Sequence, residues 1–320
     1  MTNAIDLMNE YGSERIPFLF IIDFEMERPI VLRNEEAKEH GFFFAIDEET
    51  DEKPKDDFLF EKRPIEFDRY EKAFKLVSNK ITGGYSYLTN LTFPTKIETN
   101  LTLTEIFKFS NARYKLLFKN DFVVFSPECF VKIENGIISS YPMKGTIDAS
   151  IPGAREIILA DEKELAEHTT IVDLIRNDLS IVSNNVCVEE FRYIDKLTTN
   201  TKDLLQVSSK VVGQLGEDYH KHLGKIIFSI LPAGSISGAP KKKTIEIIRE
   251  AEKIKRGYYT GVFGYYDGAK LDSAVMIRFI EKTNLGIFYR SGGGITFMSN
   301  AETEYQELID KVYVPINRSN

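Results

Sequence analysis

Short apolar runs set between polar turns predict most of the strands. Phe18–Ile22 and Phe42–Ile46 are such runs. Residues 121–125, 129–134 and 137–141 follow one another closely, with Asn135-Gly136 as a hairpin turn between the last two. Residues 258–265 and 273–281 flank a second hairpin signal, Asp267-Gly268, and 286–290 makes a third strand in that series. These are antiparallel neighbours, not strand–helix–strand units. Helical spacing marks 64–78, 162–176, 240–255 and 302–313. The second begins with Asp161-x-x-Glu164, a capping-box pattern, and the third with proline at a first helical position. The pattern predicts an α+β fold, with large antiparallel sheets and helices on their outer faces.

Composition narrows the function. The 320 residues carry 41 Lys+Arg and 49 Asp+Glu, a formal charge of −8, and 42% are hydrophobic. This is a folded acidic chain without the basic footprint of a nucleic-acid binder. Two cysteines, Cys129 and Cys187, cannot build a disulfide scaffold or a zinc site. The N-terminus lacks a basic segment followed by an apolar stretch, and the purest apolar run stops at Asp23, so no membrane association and a cytoplasmic location are expected. Residues 47–57, with seven acids and two lysines, read as a solvated loop between a small strand-rich N-terminal piece and the main body. No internal repeat is visible.

Several segments carry candidate chemistry. Glu128 and Lys144 flank the Asn135-Gly136 turn. A two-residue loop would put them on opposite faces of the hairpin. A three-residue loop would put them on one face, diagonally about 7–8 Å apart. The bulged, three-residue form is expected, with Gly136 at positive φ; on spacing alone a surface ion pair is the plainer reading. In residues 231–241, Gly234, Ser235, Ser237, Gly238 and Lys241 at a helix start form an anion cradle suited to a carboxylate, or a plain tight loop. Arg278 shares a strand face with Ala274, Met276 and Ile280, so it needs a partner, either a bound carboxylate or an internal acid. Gly292-Gly293-Gly294 would let a ligand approach the backbone. On the last helix Tyr305, Leu308, Ile309 and Val312 form a core stripe, and Glu304, Glu307 and Lys311 a second one. Glu164 and Glu167 repeat the i, i+3 spacing. The four glutamates could hold a hard divalent cation, or be solvated helix faces.

In order, Ser126-Pro-Glu128, Pro142-Met-Lys-Gly-Thr146, residues 164–179, Pro232 to Lys241, Arg256 to Tyr265, Ile277-Arg278 and Gly292 to Lys311 resemble the chorismate-utilising enzymes. That family includes anthranilate synthase component I, aminodeoxychorismate synthase component I and isochorismate or salicylate synthases. The resemblance covers roughly residues 120–312 as a catalytic core, within one chorismate-binding domain whose first hundred residues match weakly and look shortened. It implies two large packed antiparallel sheets. Lysine at 144, where anthranilate synthases carry alanine, points to the branch that aminates chorismate at C4 for para-aminobenzoate and folate synthesis. There Lys144 would attack the ring as a nucleophile, with a pKa lowered by burial and by magnesium, and Glu128 would be a protonated acid. Mg²⁺ would be held by Glu167 and Glu307, with Glu164 and Glu304 beside them. Gly145, Thr146, Ser235, Tyr259, Arg278, Gly293, Gly294 and Lys311 would line the chorismate site.

Two departures from the family pattern stand out. Gln206 replaces the histidine of the anthranilate branch, which disfavours anthranilate as product, and Ser235 replaces a common threonine. Neither cysteine has a glutaminase context, so a separate glutamine amidotransferase subunit, or free ammonia, is expected. A fused lyase is not expected. The alternatives are anthranilate and isochorismate or salicylate-type synthesis.

Overall fold

The strand Phe18–Ile22 is buried on both faces, and its two faces lie in different cores. Phe18, Phe20 and Ile22 pack into a helix-covered cluster with Met8, Ile171, Ile175 and Ile227. Leu19 and Ile21 point the other way, toward Phe42, Tyr114, Leu116 and Phe122 of a second sheet. Period-two side-chain alternation thus builds three layers from one apolar run. Burying each large side chain contributes roughly 1.5–3 kcal/mol.

The computed structural model describes residues 2–316 apart from 49, 51, 53, 55–57 and 199–202. Two antiparallel sheets dominate it. The nine-stranded sheet runs Met143–Asp148, Asp203–Gln214, Ile137–Ser140, Cys129–Glu134, Leu271–Val275, Val262–Tyr266, Phe18–Ile22 and Ile30–Arg33, with Asn184–Thr198 also paired to Asp203–Gln214. The eight-stranded sheet runs Gly238–Ala239, Leu88–Thr99, Gly286–Ile295, Phe279–Thr283, Phe122–Ser126, Tyr114–Phe118 and Phe42–Ile46, with Phe60–Arg63 beside Leu88–Thr99. Helices Thr2–Glu14, Glu162–Ser180 and Leu223–Ser229 cover the first sheet. Phe67–Thr82, Lys241–Glu252 and Ala301–Asp310 cover the second through Tyr70, Val77, Ile247 and Leu308. The fold class is the one expected.

Four local expectations are corrected. Glu134 pairs with Ile137, so the hairpin loop has two residues, not three. Gly136 is at φ +78° as expected, but Asn135 also adopts positive φ, +52°, which gives the tight turn that suits strand twist. Lys144 is not on this hairpin at all: its strand pairs with Asp203–Gln214. Arg278 is not inside a strand. It sits at φ +52° between Leu271–Val275 and Phe279–Thr283, where the chain changes sheets. The N-terminal strand is no separate piece, because it pairs with Val262–Tyr266. Within 47–57, Asp47 is tied to Arg113 at 2.9 Å, and residues 49, 51, 53 and 55–57 lie outside the described residues.

Candidate active site

Lys144 is presented by a bulge. It faces Val207, the register shifts before Thr146, and Gly145 between them takes φ +65°. The positive φ favours glycine at 145, and a Cβ there would stand 2.9 Å from Glu164 Oε2. Glu164 and Glu167 project from helix Glu162–Ser180, whose start is capped by Asp161 accepting the Glu164 N–H at 2.9 Å. Lys144 Nζ donates to Glu167 Oε2 at 2.5 Å.

The second glutamate pair stands across from the first. Glu304 accepts from Ser299 Oγ at 2.8 Å, and Glu307 pairs with Lys311 Nζ at 2.5 Å. Lys311 Nζ also donates to the Gly292 carbonyl at 3.0 Å. A Cβ on Gly293 would meet Glu304 Oε2 at 3.3 Å, Glu307 Oε1 at 3.6 Å and Lys311 Nζ at 3.8 Å. The missing side chain leaves an opening where two carboxylates converge. At Gly294 a Cβ would stand 2.9 Å from Leu88 Cδ1.

Glu128 completes the group. Ser235 Oγ donates to its Oε1 at 2.5 Å. Burial raises the Glu128 pKa, against the opposing pull of Ser235, Lys311 and Lys144. That direction suits a proton donor. Lys144 goes against expectation. Burial alone would lower its pKa, but the carboxylates of Glu167, Glu164 and Glu307 outweigh burial and hold it above the ordinary lysine value. The ammonium is therefore the resting form.

Lys144 and Glu167 line one end of a groove of about 890 Å³ that runs along helix Glu162–Ser180 to Asp173 and Arg176, with Tyr87, Phe297 and Met298 on its far side. Glu128 and Ser235 line a small separate pocket with Pro142 and Asp178. Among the described residues no three acidic, histidine or cysteine side chains are already gathered tightly enough to hold a metal ion. Ammonium groups stand on Glu167 and Glu307. The donor set, all carboxylate oxygen around the Gly293 opening, nevertheless suits a hard divalent cation that keeps several waters.

Other sequence candidates have internal partners. Arg278 Nη1 donates to the Lys311 carbonyl at 2.6 Å, at the C-terminal end of the last helix, and its guanidinium lies 4.6 Å from the Tyr313 ring centre. Its partner within the chain is thus a carbonyl oxygen rather than an internal acid. Tyr259 is buried beneath the Arg290 guanidinium, 5.3 Å from the ring centre. Thr146 is exposed and faces Gln206. The anion cradle is not realised. Ser237 Oγ donates to the Ala233 carbonyl, and Lys241 is paired with Asp178 at 2.6 Å, which leaves Ser235 alone at the site.

Two structural groups went unnoticed in the sequence. Glu252 and Arg256 form a fully buried forked ion pair, signalled only by their i, i+4 spacing. His168, directly after Glu167, is buried and joined through Nε2 to Ser209 Oγ at 2.6 Å. Burial, with Arg192 and Lys144 nearby, pushes its pKa down to about 4, so the ring is neutral.

Residues 24–317 match the family model described as chorismate binding enzyme. The match starts well before residue 120, so most of the weakly matching N-terminal part falls within it. A Haemophilus influenzae protein named "Uncharacterized PabA-like protein" is 50% identical over 99% of this chain and 97% of its own. Anthranilate synthase component 1 of Acetivibrio thermocellus is 38% identical over 58% of this chain and 38% of its own length. Among solved structures, anthranilate synthase component I from Streptococcus pneumoniae superposes with a TM-score of 0.67 at 28% identity, covering 82% of this chain and 60% of that one. The menaquinone-specific isochorismate synthase of Escherichia coli gives 0.71 at 16% identity, covering 97% and 80%, a likeness of fold.

Proposed function

The chain belongs to the family of chorismate binding enzymes, and we propose that within it this protein aminates chorismate at C4, as an aminodeoxychorismate synthase component I. The observation that carries the reading is the meeting of Lys144, Glu167 and Glu128. Lys144 is ion-paired with Glu167 at 2.5 Å, and Glu128, whose pKa burial raises, is close enough to feel the Lys144 charge, which supports an amine and a proton donor acting together.

In this reading the Lys144 ammonium first releases a proton to solvent by way of Glu167, and the neutral Nζ then forms a bond to C2 of the ring. The ring double bonds shift, the C4–O bond breaks, and Glu128 supplies the proton with which the hydroxyl leaves as water. Ammonia then bonds at C4, the electrons shift back, and the C2–N bond to Lys144 breaks. Ser235, donating to Glu128 Oε1, leaves Oε2 to carry the proton. Glu164, Glu167, Glu304 and Glu307 would hold Mg²⁺, which would neutralise the ring carboxylate. Lys311, Tyr259, Arg278, Thr146 and the Gly145 and Gly293 backbone would border the substrate. The ammonia would come from a glutamine amidotransferase subunit or from free ammonium. Among the described residues no helix is long and apolar enough to cross a membrane, which fits the proposed cytoplasmic setting.

The kinship with anthranilate synthases favours a second reading, anthranilate formation. Gln206 and Lys144 speak against it, because Gln206 supplies no base for aromatisation. Incubation with chorismate, Mg²⁺ and ammonium, followed by mass and absorbance identification of the product, decides between them. 4-Amino-4-deoxychorismate is expected; anthranilate or isochorismate would overturn the proposal.

A further inference from the structure

We propose that His168 and Ser209 form a positioning pair that holds helix Glu162–Ser180 at the spacing Lys144 needs. Among the described residues, two polar links between this helix and the sheet edge lie side by side. One is Lys144 with Glu167, the reactive ion pair. The other is His168 Nε2 with Ser209 Oγ at 2.6 Å, one residue further along the helix. On the sheet side Lys144 faces Val207 and Met143 faces Ser208. Ser209, the next residue, donates its N–H to the Pro142 carbonyl at 2.9 Å. Both links therefore attach the same helical turn to the same pair of strands.

Ser209 is itself oriented. Its Oγ accepts the Arg192 N–H at 2.9 Å, which holds the hydroxyl in place for the hydrogen bond it shares with His168 Nε2. Arg192, at a bulge with φ +53°, sends its guanidinium to the Ile158 and Leu159 carbonyls at 3.0 and 2.8 Å, at the end of helix Ala154–Ala160 that leads into Glu162–Ser180. His168 is 1% exposed, and its Nδ1 has no partner among the described residues, so Ser209 is the polar anchor of the ring there. The Phe191 ring meets it edge-on at 5.8 Å. Displacement of about 1 Å between reacting groups can cost on the order of 100-fold in rate. A hydrogen bond beside the reactive ion pair, on the same helical turn, fixes that spacing.

The inference rests on the reading of Lys144 as nucleophile, and its test can fail separately from that reading. Ser209→Thr and Ser209→Val have the same shape, and only threonine keeps the hydroxyl. Their chorismate affinity, kcat, thermal midpoint and rate of Lys144 labelling by an amine-reactive reagent without substrate are compared. Valine is expected to lower kcat about tenfold, the loss of one buried hydrogen bond of ordinary strength. It should also change the labelling rate and leave chorismate affinity within about twofold; threonine should restore kcat and labelling. Threonine and valine behaving alike in both readouts would overturn the inference, even with the product confirmed. Should both larger side chains prevent folding, Ser209→Ala against the wild type gives the same contrast: unchanged labelling and kcat would overturn the pair, and a shift in both would support it.

Discussion

Glu252→Gln offers a quantitative test of how the site is held in place. Arg256 donates to Glu252 through Nε at 3.0 Å and Nη2 at 2.6 Å, with the two side chains 1% and 0% exposed. The same guanidinium reaches the Ile236 carbonyl at 2.9 Å, beside Ser235, and the Asn90 carbonyl at 2.7 Å. Glu252 Oε1 also accepts the Thr92 N–H and hydroxyl at 2.9 and 3.0 Å. The pair therefore links helix Lys241–Glu252, strand Leu88–Thr99, the Ser235 turn and the segment leading to Tyr259. Glutamine keeps the shape but leaves the guanidinium without its counter-charge. Breaking one side of a buried pair costs about 3–5 kcal/mol. With an unfolding entropy of about 2.1 cal/mol/K per residue, 320 residues give about 0.67 kcal/mol/K, so the thermal midpoint should fall by roughly 4–7 °C. Turnover should fall as the Ser235 turn loosens from Glu128. Calorimetry and steady-state assays of one preparation check both. A midpoint within about 1 °C of wild type, with full turnover, would refute this account of the pair.

Further expected outcomes follow from the site chemistry. Lys144→Ala should abolish amination and keep chorismate binding within a few-fold, as measured by calorimetric titration; lost binding would make the lysine structural. Glu128→Gln should abolish turnover and raise stability at neutral pH. Burial holds the folded pKa of Glu128 above the ordinary glutamate range, so the folded chain holds this proton more tightly than the unfolded one. That stabilisation is complete below the unfolded pKa and is lost as pH rises through the folded one. The variant's advantage in thermal midpoint should thus grow from acid to neutral pH, and a pH-independent difference would contradict the assignment. Removing divalent metal with a chelator should stop turnover, and Mg²⁺ should restore it, with far-ultraviolet circular dichroism unchanged throughout.

Much of the fold was legible because burial writes itself into apolar runs. Phe18–Ile22, Phe42–Ile46 and Cys129–Glu134 have the bounds read from sequence. The core stripe of the last helix also matches: Leu308 is buried, with Tyr305 and Ile309 packed against the same cluster. The paired strands Asn184–Thr198 and Asp203–Gln214 went unread because polar residues dilute their alternation. Arg278 illustrates a different failure. Ala274, Met276, Arg278 and Ile280 alternate like one strand face, yet a single positive φ sends the chain into the other sheet, and alternation carries no signal for that. The hairpin register turned on Asn135, a residue that tolerates positive φ almost as glycine does. The Lys144 charge state was illegible for a stronger reason. It depends on carboxylates of Glu167, Glu164 and Glu307, which stand 20 or more positions away in the chain and meet it only in the folded protein.

The most direct test of C4 amination through Lys144 is a single turnover with ring-labelled chorismate and Mg²⁺ but without ammonium, followed by digestion and mass mapping of the protein. The account predicts label on the peptide bearing Lys144, with the mass of chorismate less one water, discharged as an amine product when ammonium is added. Ammonium-dependent turnover at an undiminished rate in Lys144→Ala, with no label on any lysine of the wild type, would contradict it.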